Sequence, residues 1–100
     1  MNQLNELKNQ FLIIIDVLRK YGDNSNKPQI LIIEEILNIL ESNEEDIIKF
    51  EKIKVLNNKL YPPRGGLGEF FIWDDDFDKR IEKNEVLEYA KSFTWKILNS

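Results

Sequence analysis

One hundred residues, 42% of them hydrophobic and 32% charged, describe one domain with a single modest core. The chain has no cysteine and no histidine, which excludes disulfides, thiol chemistry, the usual metal-ligand sets and the commonest general base. A formal net charge of −4 disfavours nucleic acid as a partner and favours a basic one.

The opening MNQLNELKNQ lacks the basic start of a signal peptide. The apolar runs that follow are interrupted by Asp16, Glu34 and Glu35, so none approaches the ~18 residues of a membrane span. These features predict a soluble, cytoplasmic protein. Residues 2–21 read as a first helix, with Leu4, Leu7, Phe11, Ile14, Ile15, Leu18 and Tyr21 on one face. Leu12 and Ile13 fall off that stripe, and Gly22 stops the helix. DNSNKP then reads as a polar turn.

Pro28 suits the first turn of a second helix running to about Ser42. Ile32, Ile33, Ile36, Leu37, Ile39 and Leu40 cover about half its circumference. That width predicts the central helix of a bundle, or one that also lines a homodimer or partner interface. Ser42 to Asp46 is a helix-start signal. A third helix over about 44–58 follows, with Ile47, Ile48, Phe50, Ile53, Val55 and Leu56 at irregular spacing.

YPPRGGLGEFFIWDDDFD, residues 61–78, departs from this pattern. It carries five carboxylates, one cation, and three of the four glycines. Pro62 and Pro63 end the preceding helix, and Gly65, Gly66 and Gly68 permit positive φ. Residues 69–73 are β-prone and predict a short strand or an extended segment. Helical character returns after Asp78 or Asn84. Val86, Leu87, Ala90, Phe93, Ile97 and Leu98 then form an apolar face, with Trp95 on the polar side among Glu88, Lys91 and Ser92. The expected fold is therefore mostly α: a single-domain bundle of about four helices over residues 1–100. A Pro/Gly/aromatic/acidic loop, with a possible short β segment, joins helices three and four.

What the loop does is open to several readings. Its glycines match neither nucleotide-binding spacing. Asp74, Asp76, Asp78 and Glu85 fall at ligand positions of an EF-hand loop, so a calcium- or small-ligand-binding module is one alternative, and a homo-oligomeric adaptor using the wide face of the second helix is another; Lys79 stands where the EF-hand loop needs glycine. No pair of carboxylates stands out as an acid and a base. The expectation is a binding protein rather than an enzyme, with no cofactor. Tyr61, Phe70, Phe71 and Trp73 beside an acidic run suit recognition of a protein, since aromatic rings anchor and acids steer. Alternation along an extended segment would send Phe70 and Ile72 inward and leave Phe71 and Trp73 for other surfaces, Trp95 included. The candidate contact residues are Glu69, Phe71, Trp73, Asp74, Asp75, Asp76 and Asp78.

Residues 60–98 also resemble the tails of small bacterial toxin-immunity proteins, some of them from contact-dependent growth-inhibition loci. The resemblance rests on Tyr61-Pro62-Pro63, on Gly65-Gly66-Leu67-Gly68, on the acidic run at 74–78 and on the final helix. It implies a small cytoplasmic protein that binds one cognate toxin, commonly a basic nuclease, and blocks its active site or substrate path.

Overall fold

A computed structural model of the chain describes residues 3–99. Among them are four helices: α1 (Gln3–Tyr21), α2 (Lys27–Glu41), α3 (Asp46–Lys59) and α4 (Phe77–Leu98). The expected start of the first helix at residue 2 lies outside the described residues. α1 packs on α4 and α2, and α2 packs on α3. The contact between α3 and α4 is thinner, and the 60–76 segment runs between these two helices.

α1 buries Leu4, Leu7, Phe11, Ile14, Ile15 and Leu18, the stripe its spacing predicts. Burying one such side chain stabilises the fold by about 1.5–3 kcal/mol, so this face is the largest single contribution to the core. α1, rather than α2, is thus the most deeply buried helix. In α2 only Ile33 and Ile36 of the broad apolar face are buried; Ile32, Leu37, Ile39 and Leu40 are half-buried.

The α1–α2 turn is more ordered than its composition predicts. Asn24–Asn26 form one 3-10 turn, closed by a reciprocal box. The Asp23 carboxylate accepts from Ser25 N–H, and Asn26 Oδ1 accepts from Asp23 N–H at 3.0 Å. Gly22 is required here by close approach, because a Cβ would stand 2.5 Å from the Leu18 carbonyl oxygen. The third helix begins at Asp46, two residues later than expected. Ser42 instead closes α2, donating its Oγ–H to the Ile39 carbonyl at 2.7 Å.

Two helical faces differ from the apolar pattern for one reason, which is that polar residues are buried in them. α3 turns Ile53, Leu56 and Asn57 inward, with Leu60 following, and leaves Ile47 and Val55 exposed. Asn57 is fully buried, and neither atom of its amide has a hydrogen-bond partner among the described residues. α4 buries Leu87, Ala90, Lys91, Thr94 and Leu98, while Val86 faces out. Thr94 is tolerated because its hydroxyl donates to the carbonyls of Ala90 and Lys91.

Of the two expectations for residues 69–73, a short strand or an extended segment, the strand does not form: none occurs among the described residues. Residues 70–74 carry no helix or turn, burial alternates from Phe70 to Trp73, and a side chain takes the place of a strand partner. Asn84 Oδ1 accepts from Ile72 N–H at 2.8 Å, and its Nδ2 donates to the Ile72 carbonyl at 2.8 Å and to the Arg80 carbonyl at 2.8 Å. Leu60, Leu67 and Ile72 from this segment are fully buried. Leu67 N–H returns to the Leu60 carbonyl at 2.8 Å across a turn that passes through Gly65 (φ 73°) and Gly66 (φ 70°).

Replacing Asn84 with Ala removes three hydrogen bonds and strands both polar groups of Ile72. The expected loss in urea unfolding is about 2–4 kcal/mol; a loss below about 1 kcal/mol would mean the amide does not hold the segment. The two glycines should also differ. A Cβ at Gly66 meets Pro62 Cδ at 2.5 Å and the Leu60 carbonyl at 2.6 Å, whereas one at Gly65 meets nothing. Gly65→Ala is expected to cost about 1–2 kcal/mol for its backbone conformation alone, and Gly66→Ala more than that.

Candidate functional site

Gripping the peptide of Ile72 sets the direction of its neighbours, because successive side chains of an extended chain point to opposite sides. Ile72 is buried and Phe70 half-buried, while Phe71 and Trp73 are 62% and 64% exposed. The structure adds two residues that sequence reasoning missed. Phe77, 57% exposed, opens α4 beside Trp73, and the Arg80 guanidinium lies 4.4 Å from the Trp73 ring centroid and 5.3 Å from that of Phe77. The i, i+3 spacing of Phe77 and Arg80 is the signal that could have linked them. Trp73 is further fixed by its Nε1–H, which donates to Asp75 Oδ1 at 3.2 Å. The result is an exposed aromatic edge with two of its rings braced by an internal cation.

The acidic run divides by role. Asp76 is the N-cap of α4 and accepts from Lys79 N–H at 3.0 Å. Asp74 accepts from Asp76 N–H at 2.9 Å and from Lys83 Nζ at 2.7 Å. Lys83 also lies 5.0 Å from the centre of the Tyr21 ring, so it joins the loop to the end of α1. The Lys83 ammonium, and then the Asp76 amide, hold the Asp74 carboxyl below its ordinary value. In return Asp74, and then Tyr21, hold Lys83 above its own. Asp75 and Asp78 are exposed, Asp78 in the first turn of α4, and Glu69 is exposed on the loop.

The calcium-loop alternative is not assembled. Residues 77–98 are helical, so Asp78 and Glu85 stand about 10 Å apart along an axis. Asp74 and Asp76 are taken up by the helix start, and no group of three metal-binding side chains occurs among the described residues.

Trp95 does not meet the exposed aromatics as expected. Its partner is Tyr61, edge-on at 5.2 Å, on the wall of a cleft of about 340 Å3 that Lys91 and Glu88 also line. Burial, with the Glu88 charge adding to it, pushes the Tyr61 hydroxyl up to about 12. A second cleft, of about 380 Å3, lies between the α1–α2 turn and the glycine loop; Glu69, Phe70 and Phe71 line one side of it.

Comparison with family models, with curated proteins and with solved structures finds no match to this chain.

The Asp74–Lys83 pair makes stability depend on pH at both ends. A depressed carboxyl contributes stability above its unfolded value and loses it as pH falls through the folded one, so this part fades below about pH 4. A raised ammonium contributes below its unfolded value, and that part fades above about pH 10. Urea unfolding of Asp74→Asn is expected to show a smaller fall in midpoint between about pH 6 and about pH 3 than the parent shows. Equal falls would place the acid sensitivity elsewhere, first at Asp23 or Glu41, whose carboxyls are also held low by Ser25 and by Lys8 respectively.

Proposed function

We propose that this is an immunity-type protein that binds one cognate basic toxin and covers its active site or substrate path. The observation that carries the reading is the exposed edge of Phe71, Trp73 and Phe77 with Asp75 and Asp78 beside it. An exposed ring held in place by its own neighbours loses little freedom on binding, which suits an anchor. Charge supports the same reading, because residues 61–78 carry a local charge equal to that of the whole chain. The resemblance of residues 60–98 to toxin-immunity proteins supplies the class of partner.

The division among the acids sharpens the expected contact. Asp74 and Asp76 serve the loop and the start of α4, so the steering role falls to Glu69, Asp75 and Asp78. Among the described residues no helix is long and apolar enough to cross a membrane, and the reading needs none.

The first test is growth protection: co-expression with whatever toxin domain the gene immediately upstream encodes is expected to restore growth of a sensitive strain. No protection and no binding to that domain would overturn the reading. With the complex in hand, Asp75→Asn with Asp78→Asn is expected to slow association and flatten its dependence on salt. Trp73→Ala is expected to act through dissociation, by about 2 kcal/mol or more, with an unfolding midpoint close to the parent's because the ring is exposed. Unchanged kinetics in both variants would move the contact off this edge.

A further inference from the structure

The cleft between the α1–α2 turn and the glycine loop has two carboxylates, Asp23 from the turn and Glu69 from the loop, and no cationic side chain among its lining residues. Phe70 and Phe71 supply ring surface beside Glu69. Asp23 Oδ1 is committed to Ser25, accepting from its N–H at 2.8 Å and from its Oγ–H at 2.6 Å. Its Oδ2 accepts no hydrogen bond among the described residues, and Glu69 makes no ion pair among them. Gly65 and Gly66 add no side chain to fill the space. At about 380 Å3 the cleft is at the low end of the ~300–1,000 Å3 range of ligand pockets, closer to a side chain than to a cofactor.

We infer that this cleft is the seat of one basic side chain of the protein partner, an arginine in preference to a lysine. The inference rests on the toxin-binding reading and adds where, and by what chemistry, the partner's positive charge is received. A guanidinium is planar and weakly hydrated, so it can lie on a phenylalanine ring while donating to carboxylates at its edge; an ammonium cannot do both as well. The chain already places a guanidinium on aromatic rings, since its own Arg80 lies over Trp73 and Phe77. The Tyr21 ring also lines the cleft, but Lys20 and Lys83 already lie over it at 5.3 and 5.0 Å. The guest therefore uses Phe70 and Phe71. Of the two lysines, Lys83 is paired with Asp74, which lessens its repulsion of an incoming cation. Phe71 borders both the cleft and the exposed edge, so one partner surface can engage the two together.

The test uses the full chain and small probes, followed by amide NMR. Nα-acetyl-arginine amide is expected to give saturable shifts at Ser25, Gly65, Gly66 and Glu69. Nα-acetyl-citrulline amide, of like shape without the charge, should bind at least about fivefold more weakly. Asp23→Asn with Glu69→Gln should abolish the difference; Asn caps a turn as well as Asp does, so the cleft keeps its shape. Equal binding of the two probes by the parent, shifts that do not saturate, or a preference for the arginine probe that persists in the double variant would overturn the inference. No toxin enters this titration, so its failure leaves the Trp73 edge and the growth test standing. Conversely, failure of the growth test with a positive titration would leave an arginine-accepting cleft whose partner is another basic protein.

Discussion

The side-chain amide of Asn84 does for the loop what a neighbouring strand does in a sheet. It accepts from the N–H and donates to the C=O of one residue, Ile72, and so satisfies a peptide that has no other partner among the described residues. Everything exposed on the loop takes its direction from that pairing. With Ile72 turned into the core, alternation leaves Phe71 and Trp73 no direction but outward. Because Asn84 sits on α4 and also donates to the Arg80 carbonyl, the helix that holds the loop also carries the guanidinium beneath Trp73. Anchor and anchored surface are therefore parts of one unit.

The acidic run shows how structural and recognition roles can share one stretch of sequence. A helix N-terminus favours carboxylates, through its free N–H groups and its dipole. Asp74 and Asp76 meet that demand, and Asp74 also neutralises Lys83. Asp75 and Asp78 alternate with them and face solvent. The local potential is set by all of them together, Asp76 being exposed as well, but replacing Asp74 or Asp76 would disturb the start of α4.

Much of the fold was legible because α1 is a plain case. Its apolar residues recur at helical spacing, and they are the ones buried. The faces of α3 and α4 were legible only in part. Periodicity counts Asn57, Lys91 and Thr94 as outward-facing, yet all three are buried. Thr94 compensates through its own backbone and Lys91 through Glu88 at 2.8 Å, neither of which alters an apolar pattern. In the loop, the alternation of Phe70 to Trp73 could be read from a period of two. The absence of a strand could not, because the replacing partner lies twelve residues away in a helix and asparagine carries no local mark of that role. The acids were ambiguous, since capping and calcium coordination ask for the same residue types a few positions apart.

The burial of α1 also has a consequence during synthesis. Its main packing partner is α4, and the interval from Tyr21 to Leu98 takes ~4–15 s at translation rates of about 5–20 residues per second. α2 emerges early and shields one flank, but the side of the stripe that meets α4 stays bare through most of that interval. The nascent chain thus presents part of an apolar stripe of six large side chains on a formed or forming helix. That is the kind of surface ribosome-associated chaperones bind, and the yield of folded protein should respond more to their supply than the small size of the domain would suggest.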